Sequence, residues 1–295
     1  MKTKTLLMGG ALLLLLAVIS GYCYISHGES KERSPVKVKE PKKEEAIVPG
    51  EKGNIEKETV RDTNTDLQQQ KVPDAGENHL ENILKNFVVV IDPGHQRKAN
   101  LGKEPVGPGA GEMKMKVSGG TSGTATRKPE YQLTLEASLV LADLLEKKGV
   151  KVVLTRTAND VNLSNRERAE IANRHHADLF IRIHADGSTN RNVRGLSVLT
   201  PSNDSPYTKA IYQDSLQASK FILSEAEKNP AVKVNGISYR GDLSGFNWSK
   251  VPCTLVEMGF MSNPAEDRNL SDPVYLQKLQ ANIVDGIIKY AEYKQ

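Results

Sequence analysis

Four residues in this chain of 295 are placed where they could do hydrolytic chemistry. His95 follows the apolar run VVVID, His184 ends LFIRI, Glu257 ends CTLV, and Glu130 stands at the start of a helix-like segment. Two neutral imidazoles and one carboxylate, with a fourth position open to water, form the ligand set of many catalytic zinc sites. A second carboxylate nearby could then move protons. The histidines are far apart in sequence, so they do not share a helix as those of an HExxH motif do. Any metal they share has to be assembled by a sheet. Each residue also has a plainer reading. An acid in a first helical turn complements the helix dipole, which by itself is enough to explain Glu130. His95 alone suits a loop histidine bonded to backbone. His184, on one strand face with Phe180 and Arg182, suits a hydrogen-bonded interior histidine. Glu257 resists such an account, because a carboxylate ending a buried strand is costly unless it is paired or functional.

The elements that must position these residues begin near Phe87, where short apolar runs start to alternate with segments of helical periodicity. The runs VVVID, VKVVLTR, ADLFIRIHADGS, LSVLT and PCTLVEMG are predicted strands. PEYQLTLEASLVLADLLEKKG is a predicted helix with Leu133, Ala137, Val140 and Leu144 on one stripe, Pro129 in its first turn and Gly149 at its end. SNRERAEIANRHH is a helix opened by Ser164, a further helix is expected over 207–228, and DPVYLQKLQANIVDGIIKYAEY closes the chain with Leu276, Leu279, Ile283 and Ile287 facing inward. This order predicts one α/β catalytic domain over 86–295, a mostly parallel twisted sheet flanked by helices on both faces, with one or two strands free to run antiparallel. Ligands bind beyond the carboxyl ends of strands in such sheets, which is where His95, His184 and Glu257 fall. Glu130 joins them if its helix runs back against the preceding strand.

The opening MKTKTLLMGGALLLLLAVISGYCYIS joins Lys2 and Lys4 to an apolar stretch close to the roughly 20 residues that a spanning helix needs. Residues 1–26 are therefore expected to be a membrane anchor or signal segment, with the remainder outside the cytoplasm. Residues 27–85 contain no Phe, Trp or Tyr and have nearly balanced charge, so they read as a disordered charged linker, although HLENILKNF at 79–87 could form a short helix. Forty Lys and Arg against 36 Asp and Glu leave a formal charge of +4, too little for a nucleic-acid binder, and no nucleic acid is expected as partner. Cys253, inside VPCTLVEMGF, is expected to be free and buried.

The stretches VVVIDPGH, EYQLTLEASLVLADLLEKKGVKVVLTR, RERAEIANRHHADLFIRIHADGS and VPCTLVEMGFMSNPAED, in that order, resemble the zinc-dependent N-acetylmuramoyl-L-alanine amidases of the amidase-3 type, and the resemblance spans essentially all of 87–295. It implies one zinc ion held by His95, Glu130 and His184, with Glu257 catalytic. It also implies hydrolysis of the amide between N-acetylmuramic acid and the L-alanine of the peptidoglycan stem peptide, hence an extracytoplasmic, cell-wall location and the stem peptide and glycan as partners. A protein activator is left open. Two departures stand out. Gln96 replaces a glycine, and the Gly- and Lys-rich stretch 97–129 separates it from Glu130 as a long loop without structure of its own. Asp186 stands where the family more often has Asn. Arg182, Arg240 and Asn247, with Trp248, are candidate substrate contacts, the alternative for either arginine being a structural ion pair. Two other functions stay open: an inactive relative that only binds peptidoglycan, and a zinc carboxypeptidase acting on muropeptides.

Overall fold

A computed structural model of the protein describes residues 75–295. The anchor expected at 1–26, and the part of the linker before Ala75, lie outside the described residues. Among the described residues no helix is long and apolar enough to cross a membrane. The fold begins earlier than expected, inside the stretch read as linker, with α1 (Ala75–Asn86). Ile83 and Leu84 of this helix are buried, and Phe87 just beyond it meets Tyr290 edge to face at 6.1 Å. Two buried aliphatic side chains and an aromatic pair suffice to fix one amphipathic turn, despite the charge around it.

The central sheet is built from β1 (Val88–Pro93), β4 (Lys151–Leu154), β5 (Leu179–Asp186), β6 (Leu196–Pro201), β7 (Val234–Arg240) and β8 (Cys253–Phe260), in the order β4-β1-β5-β8-β6-β7. β4, β1, β5 and β8 are parallel, whereas β6 runs antiparallel to β8 and carries β7 parallel to itself. The sheet is thus mostly parallel with two reversed strands.

Helices cover both faces. The first face packs α1, α2 (Glu130–Glu146), α4 (Tyr212–Glu227) and α7 (Pro273–Tyr293) over Val89, Ile91, Leu179, Ile181 and Val256. The other packs α3 (Asn165–Arg174) and the short α5 (Ser244–Asn247) over Val90, Phe180 and Leu255. A further short helix, α6 (Pro264–Ser271), follows β8. Ser164 opens α3 with a full capping box, its hydroxyl accepting from Glu167 N at 3.1 Å while the Glu167 carboxylate accepts from Ser164 N at 2.7 Å.

The segment 97–129 corrects the expectation of an unstructured loop. It contains an antiparallel hairpin of β2 (Asn100–Pro105) and β3 (Met113–Val117), followed by a turn closed by a bridge between Ser122 and Pro129. The hairpin hides from a sequence reading because its apolar side chains face water: Leu101 is 69 % exposed and Met115 48 %. It is tied to the body by polar contacts, with the Glu104 carboxylate accepting from Arg166 N at 3.0 Å, the Trp248 indole donating to Pro105 O at 2.9 Å, and Lys114 reaching Asp242.

Candidate active site

Along the α3 face of the sheet, one line of alternate residues changes from apolar to charged as the strands approach their carboxyl ends. Register pairs Val90 with Phe180 and Phe180 with Cys253, then Asp92 with Arg182 and Arg182 with Leu255, then His184 with Glu257. Period two keeps these side chains on one face. The next position on β1's side of His184 is Gly94, whose amide donates to Ile183 O at 2.9 Å. A Cβ there would lie 2.4 Å from the His184 ring, so only glycine lets the imidazole occupy that space.

The second row explains why so apolar a strand stops at Asp-Pro-Gly-His. Fully buried Asp92 receives Thr155 Oγ1 at 2.6 Å, Arg168 Nη1 at 2.7 Å and Arg182 Nε at 2.9 Å. Burial pushes its carboxyl pKa up, but the two guanidinium charges outweigh this and hold it well below the usual range. Arg168, Arg156 and Thr134 then hold the carbonyls of the turn. Arg156 Nε and Arg168 Nη1 donate to Pro93 O at 2.9 and 2.8 Å, Arg156 Nη2 and Thr134 Oγ1 donate to Gly94 O at 3.0 and 2.7 Å, and Arg168 Nη2 donates to His95 O at 2.9 Å. These bonds over-determine a backbone that holds His95 at φ +60°, which non-glycine residues seldom adopt. The sequence reading missed this network. Its signal was an aspartate at the end of an all-apolar strand, which demands a buried cation, together with arginines set in or beside other apolar elements.

His95, Glu130 and His184 meet above this support. Glu130 Oε1 lies 3.1 Å from His95 Nε2 and 3.2 Å from His184 Nδ1, and the two rings stand edge to face with centroids 4.8 Å apart. Glu130 opens α2, and its backbone amide donates to Thr121 O while its Oε2 accepts from Thr121 N, each at 2.9 Å. Its Oε1 also accepts from Ala185 N at 3.2 Å, so the turn at 118–121 and the end of β5 clamp it from both sides. Gly120, at φ +74°, permits this closeness, because a Cβ there would come within 2.8 Å of Glu130 Oε2.

These residues fit a metal ion. Their ligand atoms all lie within 4.8 Å of one another. His95 Nδ1 sits 3.0 Å from Ser118 O, so it carries the proton and leaves a bare lone pair on Nε2. That lone pair faces a carboxylate oxygen at 3.1 Å, an arrangement that calls for a cation between them. His184 Nε2 is buried with no partner among the described residues. Burial lowers the His184 pKa to about 4, against the pull of its hydrogen bond to Glu130, which keeps the ring neutral near pH 7 as ligation requires. Burial raises the Glu130 carboxyl pKa, but the adjoining His184 and His95 side chains outweigh this and hold it well below the usual range.

Glu257 differs from Glu130 in its partners and in the direction of its pKa shift. It lines the same cleft of about 570 Å³ as His95, Glu130 and His184. Its Oε2 is buried without a partner among the described residues. Burial first, then the charges of Glu130 and Asp186, raise its pKa well above the ordinary carboxylate value, and Arg182 and Arg240 offset only part of this. Such a carboxyl is suited to holding and releasing a proton.

The remaining candidates separate. Arg182 is 4 % exposed and spends Nε on Asp92 and Nη2 on Asn165 Oδ1 at 2.7 Å, so it is held in a buried ion pair at the recess that it lines with His184 and Glu257. Asn247 is 2 % exposed, donates Nδ2 to Gly241 O at 3.0 Å and accepts from Ser205 Oγ at 3.3 Å. With Trp248 it lines a groove distinct from the histidine cleft, which removes its motive as a substrate residue. Arg240 stays at the cleft, in a recess that it shares with His184 and Glu257. Asp186 is exposed on the cleft rim, its Oδ1 accepting from Gly187 N at 2.7 Å. Cys253 is free and buried, its thiol pushed up to about 12 by burial.

The family profile described as N-acetylmuramoyl-L-alanine amidase matches residues 89–289. An N-acetylmuramoyl-L-alanine amidase of Mycobacterium tuberculosis is 32% identical over 214 residues, covering 69% of this chain and 86% of that protein. A probable cell wall amidase of Staphylococcus epidermidis is 27% identical over 73% of this chain, which spans 62% of that relative's length. Among solved structures, the N-acetylmuramyl-L-alanine amidase of Mycobacterium smegmatis superposes with a TM-score of 0.64 at 27% identity, covering 71% of this chain and 99% of that one.

Proposed function

The chain belongs to the N-acetylmuramoyl-L-alanine amidase family of peptidoglycan hydrolases, and from that premise we propose how its residues divide the work. The substrate is the amide between the lactyl carbonyl of N-acetylmuramic acid and the L-alanine of the stem peptide. His95, Glu130 and His184 would hold one zinc ion. When bound, zinc would polarise a carbonyl and lower the pKa of water towards about 7. Glu257 takes the proton from the attacking water and delivers it to the departing amide nitrogen, without which an amine leaves poorly. Its raised pKa suits a group that must keep that proton between the two transfers. Glu130 cannot exchange roles with it, because both Glu130 oxygens already accept backbone amides.

One observation carries this reading: a carboxylate oxygen within 3.2 Å of two imidazole nitrogens, and beside them in one cleft a carboxyl whose buried Oε2 has no partner among the described residues. Mass spectrometry of the products released from peptidoglycan by the purified protein, with and without a chelator, tests it. Intact stem peptide, lost on chelation and restored by zinc, is expected. Release of a terminal residue alone would identify a carboxypeptidase, and release of nothing a binding module. The segment 1–26, with its two early lysines and apolar run, would hold the domain at the outer face of the membrane. Membrane fractionation of cells expressing the full chain checks this placement.

A further inference from the structure

The surface on either side of Glu257 differs. One side is the wide cleft, lined by Gly119, Gly187 and the hydroxyl-bearing Thr121, Ser188 and Thr189. The other is a recess of about 240 Å³ that shares His95, Ser118, His184 and Glu257 with the cleft, and whose own lining is Val117, Leu199, Leu243 and Leu255 together with Asn165, Arg182 and Arg240. A broad surface of glycines and hydroxyls suits the hydroxyl and acetamido groups of a sugar. A small recess with aliphatic walls, in which Arg182 is already committed to Asp92 and Asn165 and Arg240 is the second cation, suits a short aliphatic side chain followed by a carboxylate.

Arg240 is built to present that cation. Asp242 accepts from its Nε at 2.7 Å and its Nη2 at 2.9 Å, which fixes the guanidinium and leaves Nη1 with no protein partner among the described residues. Lys114, from the hairpin strand β3, donates to the same aspartate, to Oδ2 at 2.9 Å and to its carbonyl at 2.7 Å. Two cations share one carboxylate, so the cluster keeps a net positive charge. On the cleft side the carboxylates of Glu130 and Asp186 would repel an anionic peptide.

We propose that the muropeptide lies across Glu257 with its sugar over the Thr121 and Ser188 side and its peptide in the Val117 and Leu243 recess, where Arg240, fixed by Asp242 and Lys114, binds a carboxylate of the peptide. This rests on the amidase reading and adds to it the direction of the substrate and the part of it that is recognised. It also gives the 97–129 insertion a task, since its second strand supplies both Val117 and Lys114.

The test is steady-state kinetics of the full chain on two synthetic muramoyl tripeptides, one with a free α-carboxylate on the second amino acid and one amidated there. The wild type is expected to show a KM about tenfold lower for the free carboxylate, with similar kcat, as a charge-assisted hydrogen bond allows. In Arg240→Gln that KM ratio is expected to fall to about one, and Arg240→Lys to recover part of it. Should Arg240→Gln fail to fold, Lys114→Gln on the exposed hairpin removes the surplus charge and is expected to reduce the ratio. A wild type with equal KM for both probes overturns the proposal without any variant. A variant that lowers kcat on both probes while keeping the ratio also overturns it, by making Arg240 structural. A wild type that cleaves neither probe refutes the amidase reading itself.

Discussion

The wall and the floor of the cleft are built on opposite plans. In the wall, from Asp92 to Glu130, nearly every polar atom is engaged: a buried aspartate with two arginines, three turn carbonyls held by guanidiniums, and a carboxylate accepting two backbone amides beside two imidazoles. In the floor, Glu257, near the carboxyl end of β8, has one buried oxygen with no partner among the described residues. Paired charges make the wall rigid and hold its carboxylate ionised, whereas isolation leaves the floor's carboxyl able to change protonation. A satisfied acid serves as a ligand and an unsatisfied one as a proton carrier, and the surroundings decide between them.

Breaking the wall at its base has the largest expected effect. Asp92→Asn leaves Arg168 and Arg182 buried without their counter-charge and should cost about 3–5 kcal/mol in urea unfolding. Because the folded pKa of Asp92 lies below its unfolded value, this stabilisation is present above pH of about 4 and declines as the pH falls further. The stability gap between wild type and variant should therefore narrow in acid, and a gap independent of pH would show that Asp92 does not carry it.

Breaking the floor should leave the fold intact and stop turnover. Glu257→Gln is expected to lose at least about 100-fold in peptide release, a barrier increase of about 2.7 kcal/mol or more, while retaining the metal content of the wild type. Glu130→Gln should instead lose the metal together with the activity. If metal analysis shows the reverse pattern, wall and floor have been exchanged. Gly120→Ala probes the wall where the turn at 118–121 closes on Glu130, forcing a Cβ against its carboxylate at positive φ. A stability loss of about 1–2 kcal/mol with roughly tenfold weaker zinc binding in a competition titration is expected. The smallest change is Ser164→Ala, which removes half of the capping box of the helix carrying Arg168 and should cost about 1 kcal/mol, read by denaturation, with little change in kcat.

How much of this was legible before the fold differs between the two regions. The four clustered residues could be read from strand ends and from the wording of the motifs, since an apolar run that stops at His or Glu is a local signal. The hairpin was not legible: MKMKV turns its methionines to water, and β2 contains glycine and proline, so neither strand shows a buried face. β7 went unread for the same reason, being an edge strand with Gly236 at φ +107° and little burial. Arg182 and Asn247 looked like substrate contacts because sequence shows a polar residue near a motif but not the partner that already occupies it.

The sequence by itself determined the alternation of strands and helices, the carboxyl edge as the place of chemistry, and the residue types of a metallohydrolase, because these follow from periodicity and chemical identity along short stretches. Only the tertiary structure decided that Arg156 and Arg168 hold the turn at His95 while Arg182 pairs with Asp92, that the insertion returns to clamp Glu130, and that Glu257 Oε2 has no partner among the described residues. Those outcomes depend on which distant groups share a low-dielectric interior, where a charge is stabilised or isolated by neighbours that no local stretch contains.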